Sequence, residues 1–131
     1  MCIRDRSNDE LLAGRLERTA EACGEPMWRM PLNDQFRRYM TDTPFADIRN
    51  GSSGGRAGSS NGAAAFLEFF VPTRNYEEDA DKLPWVHLDI AGTAWGPGSK
   101  AGTVRENPFF KHGTSGVHVR TLYHLITQNH E

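Results

Sequence analysis

Pro84-Trp85-Val86-His87-Leu88-Asp89-Ile90-Ala91-Gly92-Thr93-Ala94-Trp95 is the stretch whose reading decides the fold. A short, mostly apolar run enters after a proline and leaves through Ala91-Gly92. Such a run suits a strand covered on both faces, as in a parallel sheet, better than a strand with one wet side. His87 and Asp89 fit there only when hydrogen-bonded, because an unpartnered buried charge is very costly. Period-two alternation puts Trp85, His87 and Asp89 on one face. A lone strand histidine of this kind reads as a hydrogen-bonded core group, not a ligand. The small residues that follow leave room for a ligand at the carboxyl edge of the sheet, where open α/β folds bind them.

Working outward, Ser7 followed by Glu10 has the spacing of a capping box. Leu12, Leu16, Ala20 and Cys23 then recur at helical spacing, and Gly24 supplies a left-handed stop. Residues 26–31 read as a short extended piece, with Trp28 and Met30 on one side and Met27 and Arg29 on the other. Asn33 or Asp34 caps a second helix to about residue 40, with Phe36, Tyr39 and Met40 turned inward. Residues 45–49 suit a brief strand and residues 51–62 a Gly/Ser-rich loop. A third helix over residues 63–71 is halted by Pro72. Residues 73–83, carrying Glu77, Glu78, Asp79 and Asp81, read as a solvated excursion. A long loop over 96–113 precedes a final helix over 115–127 whose apolar face holds Val119, Leu122, Tyr123 and Ile126. Helices and strands that alternate in this way predict an α/β architecture.

A chain of 131 residues is long enough to bury one core. Its net charge of −2 gives no basic footprint for nucleic acid. No apolar run approaches the roughly 20 residues that span a bilayer. Two cysteines, Cys2 and Cys23, with no Cys-x-x-Cys, argue against a disulfide framework and against a closed zinc site, and point to a reducing, cytoplasmic compartment.

Two G-x-S-x-G matches centre on Ser53 and Ser60. Ser60 precedes a helix, and Asp89 with His112, His118 or His124 would follow in the order of a serine hydrolase. No apolar strand leads into Ser60, however, and two matches within one Gly/Ser-rich stretch show how little the pattern discriminates. Gly96-Pro97-Gly98-Ser99-Lys100 lacks the spacing and the strand-to-helix setting of a phosphate loop. The histidines form no H-E-x-x-H pair, and the acidic residues 77–81 do not follow an EF-hand pattern.

Beyond these local patterns, six blocks carry a resemblance. Gly24-Glu25-Pro26-Met27-Trp28-Arg29-Met30-Pro31-Leu32 is similar to the "G-E-P-x-W-R-x-P-L" segment of the cytosolic leucyl aminopeptidases, two-metal exopeptidases. Phe45-Ala46-Asp47-Ile48-Arg49-Asn50 resembles their "I-A-D-x-x-N". Gly54-Gly55-Arg56-Ala57-Gly58-Ser59 resembles "G-G-R-x-A-G-S", and Ala63-Ala64-Ala65-Phe66-Leu67 resembles "A-A-x-F-L". The opening stretch looks like "W-A-H-L-D-I-A-G". Gly113-Thr114-Ser115-Gly116-Val117-His118-Val119-Arg120-Thr121-Leu122 looks like "G-A-T-G-x-G-V-R-x-L". The blocks run in family order from about Ser7 to the end. The family's "N-T-D-A-E-G-R", source of two carboxylate ligands and a catalytic arginine, is absent, as are its upstream lysine and aspartate ligands.

The resemblance implies the C-terminal portion, residues 7–131, of a three-layer α/β/α catalytic domain with a mixed sheet. Residues 1–6 match nothing in it and read as a leader left by gene assembly. The complete parent is expected to be a metal-dependent aminopeptidase that releases N-terminal residues from peptides. It would use two divalent ions, zinc or manganese, and assemble as a homohexamer in the cytoplasm. The present residues supply no metal ligands and no catalytic group, so the chain alone is expected to be inactive. Carried over by position, Ala91 and Ala94 line the pocket for the substrate's first side chain, and the small Ala94 leaves space for a large one. A non-catalytic binding or regulatory module built on the same fold is the alternative, followed by a serine hydrolase using Ser60.

Overall fold

The computed structural model describes residues 3–51, 58–77, 80–91, 93–94 and 114–128. Its elements are β1 (Ile3–Ser7), α1 (Glu10–Ala22), β2 (Met27–Arg29), α2 (Asp34–Thr41), α3 (Ser59–Glu68), a 3-10 turn (Arg74–Tyr76), β3 (Val86–Asp89) and α4 (Val119–Thr127). The strands form a mixed three-stranded sheet in the order β2-β1-β3. This is the α/β class expected from the sequence. None of the described helices is long and apolar enough to cross a membrane.

The residues read as a foreign leader enter the fold. From Ile3 onward they make β1, the middle strand, and Asp5 and Arg6 are fully buried. β3, expected to be covered on both faces, is instead an outer strand of this sheet and is half-buried along its length. A middle strand needs a neighbour on each side, and among the described residues only β1 has two.

The chain falls into two compact units, one of Ala13–Trp28 with the chain up to Asp5 and from Leu88 onward, the other of Arg6–Leu12 with Arg29–His87. In the second, the end of β1 is fastened to the start of β3. Ser7 Oγ donates to the Trp85 carbonyl at 2.5 Å, and the Asn8 side chain accepts from Trp85 N at 2.8 Å and donates to the Leu83 carbonyl. Ser7 is therefore not the helix cap that its spacing to Glu10 suggested. Asp9 takes that place, its Oδ1 accepting the Leu12 N–H at 2.7 Å.

Helices α2 and α3 pack on each other. Asn33 caps α2 as expected, with its side chain accepting from Phe36 N, and Met40 is its buried residue. α3 starts earlier than the sequence suggested, because Gly58 turns the chain through a left-handed conformation (φ 67°) directly before it. A Cβ at Gly58 would lie 2.7 Å from Phe36 Cε1, so glycine is required there by both backbone and neighbour. Arg37 lays two nitrogens on the buried Glu68 carboxylate at 2.7 and 2.9 Å. The Glu68 hydrogen bonds hold the guanidinium more firmly protonated than usual, outweighing its partial burial.

The strand expected over residues 45–49 does not form. The Arg49 N–H donates to the Met40 carbonyl and its Nε to the Tyr39 carbonyl, so the chain folds back on the end of α2 and leaves Phe45 94% exposed. The acidic excursion is pinned at its base by an antiparallel bridge between Thr73 and Lys82 and by Leu83 N donating to the Pro72 carbonyl. Lys82 Nζ donates to the Glu68 carbonyl and sits 5.5 Å from the Phe69 ring centre.

In the other unit, α1 buries Ala13, Leu16 and Ala20. Gly24, at φ 70°, ends the helix as expected: its N–H donates to the Glu21 carbonyl and that of Glu25 to the Ala20 carbonyl, a Schellman arrangement. α4 starts four residues later than expected, and its apolar stripe faces outward, with Val119 and Ile126 both 67% exposed. Thr121 is the residue that α4 buries.

Candidate functional site

β3 runs directly into the turn that carries the two predicted pocket residues. The Thr93 and Ala94 N–H groups both donate to the Ile90 carbonyl at 3.0 Å, closing one helical turn. Asp89 sets its start, with Oδ1 accepting the Ala91 N–H at 3.0 Å. Ala91 is exposed and Ala94 half-buried, so two methyl groups decorate a turn stiffened by its own hydrogen bonds. The turn is tied from outside as well: Ser115 N donates to the Ala94 carbonyl at 2.8 Å.

Ser115 opens a second turn. Its Oγ accepts the Val117 N–H, after which the chain passes through Gly116 (φ 61°) and His118 (φ 62°) into α4. Helix N-termini need acceptors for their free N–H groups. His118 supplies no side-chain cap here. The acceptor comes from the far side of α1, where the Glu25 carboxylate takes the His118 N–H on Oε1 at 3.2 Å. Its Oε2 takes the Thr121 N–H at 3.1 Å and the Thr121 hydroxyl at 2.5 Å. Arg120 approaches the same carboxylate at 3.9 Å. Burial pushes the Glu25 pKa up, but the bonds from Thr121 and His118 outweigh it and hold the carboxyl below its ordinary value.

His118 is buried, with Nδ1 3.3 Å from Thr121 Oγ1 and 3.8 Å from Glu25, and with no hydrogen-bond partner for Nε2 among the described residues. Burial lowers its pKa, and Glu25 opposes that only in part. The sequence did not reveal this carboxylate clamp. Its halves sit in two separate family-like blocks, and no spacing rule relates residues 93 or 96 positions apart.

The other candidates resolve differently. Ser60 Oγ accepts a 2.6 Å hydrogen bond from Arg6 Nη2, and Arg6 Nε donates to the buried Asn61 at 2.6 Å. An arginine donor cannot take the hydroxyl proton, and among the described residues no histidine bonds Ser60, so a nucleophile is not assembled there. His118 and His124 have separate roles: His118 precedes α4, while His124 lies on it, edge-on to the Tyr123 ring. His87 stacks against Trp85, with ring centres 6.1 Å apart, which fits a structural histidine on that face of the strand. Ser53, His112 and residues 96–100 lie outside the described residues. Among the described residues, no three His, Cys, Asp or Glu side chains converge as a metal-holding group.

The turn at the end of β3 is thus joined through Ser115 to the start of α4 that Glu25 caps. Comparison with known proteins gives the family. The family model for the cytosol aminopeptidase family, catalytic domain, matches residues 6–123. The chain belongs to the cytosol aminopeptidase family. It is 40% identical to a protein of Afipia carboxidovorans named "probable cytosol aminopeptidase", over 95% of this chain and 21% of the relative. A protein of the same name from Xanthobacter autotrophicus is 41% identical, with the same coverage. The crystal structure of cytosol aminopeptidase from Coxiella burnetii superposes with a TM-score of 0.76 at 27% identity, over 99% of this chain and 24% of that one. A mutant of tomato leucine aminopeptidase gives 0.72 at 28% identity, over 98% and 21%. The chain thus spans about a fifth of the length of the curated aminopeptidases it matches. In the block that resembles "G-A-T-G-x-G-V-R", His118 stands where that pattern has glycine, and its left-handed φ of 62° is the conformation glycine adopts without strain.

Proposed function

We propose that this chain is a non-catalytic part of the catalytic domain of a metal-dependent aminopeptidase that releases N-terminal amino acids from peptides. Its contribution is the wall of the pocket for the substrate's first side chain, with Ala91 and Ala94 as the contact residues. The observation that carries this reading is the Ile90–Ala94 turn itself. It follows a strand whose sequence matches the family, presents small side chains, and is stiffened by hydrogen bonds at both ends. A rigid wall with little side-chain volume favours large apolar first residues, because a pocket discriminates mainly by the volume it leaves. The complete enzyme would draw its two divalent ions, which polarise the scissile carbonyl and activate water, from residues that this chain does not supply.

Two measurements test the reading. The purified chain should not hydrolyse leucine p-nitroanilide, with or without added manganese; hydrolysis abolished by a chelator would contradict it. Residues 7–128 grafted into the Afipia carboxidovorans relative, in place of its matched segment, should preserve aminopeptidase activity. A graft that folds but is inactive would count against the pocket assignment and favour a non-catalytic module on the same fold.

A further inference from the structure

We infer that Glu25 is a positioning residue for the pocket wall, acting through the turn at residues 115–118. This rests on the assignment of Ala91 and Ala94 to the pocket. The geometry is a relay of hydrogen bonds joined by the short backbone from Ser115 to His118. Glu25 fixes the His118 and Thr121 N–H groups at the start of α4. The three residues before His118 are folded by the Val117 N–H to Ser115 Oγ bond, and Ser115 N then holds the Ala94 carbonyl at 2.8 Å. The Ile90–Ala94 turn has one anchor in β3 through Asp89 and a second in Glu25 through Ser115.

The clamp suits that task. A carboxylate accepting several N–H and O–H donors is stronger than a neutral cap and sets direction as well as distance. Its backbone is itself fixed, because Glu25 is the residue whose N–H completes the Schellman end of α1. A misplacement of about 1 Å caused from outside a site is enough to alter its function strongly, so what holds a pocket wall in place matters as well as what the wall is made of. Glu25 thereby governs selectivity among first residues without touching substrate.

Amide hydrogen exchange on the 131-residue chain tests the mechanical half. In Glu25→Ala, the Ser115 and Ala94 amides should exchange roughly ten-fold faster or more, while the α3 amides keep their rates. Glu25→Gln should lie between, since its one amide oxygen still accepts a donor. Acceleration confined to His118 and Thr121, or a uniform rise over all amides in both variants, would overturn the inference. The functional half uses the grafted relative. With Glu25→Gln, the ratio of kcat/KM for phenylalanine and leucine p-nitroanilides should shift by roughly three-fold or more, mainly through KM. An unshifted ratio in an active graft would overturn the selectivity role. A graft inactive even with Glu25 would instead defeat the proposed function and leave the exchange result standing.

Discussion

Thr121 gives both its backbone N–H and its hydroxyl to one oxygen of Glu25, at 3.1 and 2.5 Å, across 96 positions of sequence. One carboxylate thus satisfies the start of α4 and joins it to the end of α1. Removing it leaves buried donors without acceptors, and this asymmetry makes lost acceptors costly.

Glu25→Ala should destabilise the chain by about 2–3 kcal/mol, in the range for hydrogen bonds to a charged group. Glu25→Gln should cost less. Urea unfolding midpoints at neutral pH measure both, and equal midpoints for Glu25→Ala and the parent chain would refute the clamp.

The two groups at this site respond to acid in separate windows. His118 has a lowered folded pKa, so the fold prefers the neutral ring. Its contribution is complete above about pH 6.5 and declines as the pH falls toward the folded value. Glu25, also lowered, contributes fully above about pH 4.3 and is lost as the pH falls through its folded value. Stability should therefore decline first below about pH 6.5 and again below about pH 4.3. His118→Asn, which tolerates the left-handed backbone and does not titrate, should flatten the upper limb, and Glu25→Gln should flatten the lower while deepening the upper, because the Glu25 charge no longer supports the protonated ring. Denaturation midpoints across pH 3–8 provide the check.

Two left-handed glycines separate backbone strain from collision. An alanine at Gly24 meets no atom within 4 Å, so its cost should be the conformational one, about 1–2 kcal/mol. At Gly58 the same change also drives a methyl group into Phe36, and the total should exceed the Gly24 value by about 1 kcal/mol or more. Equal losses in melting temperature would show that the Phe36 ring moves aside freely.

Arg37→Ala should cost about 2–3 kcal/mol, because it strands the Glu68 carboxylate, whose side chain is only 6% exposed. The figure sits below that for a fully buried pair because the arginine itself is one-third exposed. Pairing the change with Glu68→Leu should recover much of the loss, as measured by a thermal double-mutant cycle.

The features legible in the sequence are those governed by local rules. Gly24 and Asn33 end and begin helices because glycine and asparagine satisfy helix termini within a few residues. The family and the α/β class were legible too, through blocks of residues in order. Features set by distant contacts were not. Residues 45–49 have strand-like composition but are captured by α2 carbonyls. The apolar stripe of α4 predicts a buried face, yet hydrophobic spacing specifies a face, not what covers it, and Thr121 is the residue turned inward. The Glu25 clamp depends on two distant segments meeting, which no window of sequence contains.

The order of the sheet has a consequence for how the chain is made. The middle strand β1 is synthesised before both of its neighbours, and its outer neighbour β3 is tied on by contacts such as Ser7 to Trp85, 78 positions later. At ribosomal speeds of about 5–20 residues per second, that flank stays without its partner for on the order of ten seconds. During this interval β1 presents unpaired amides to any other strand nearby. That flank is then open to mispairing, and a pause before Val86 is translated would lengthen the hazard.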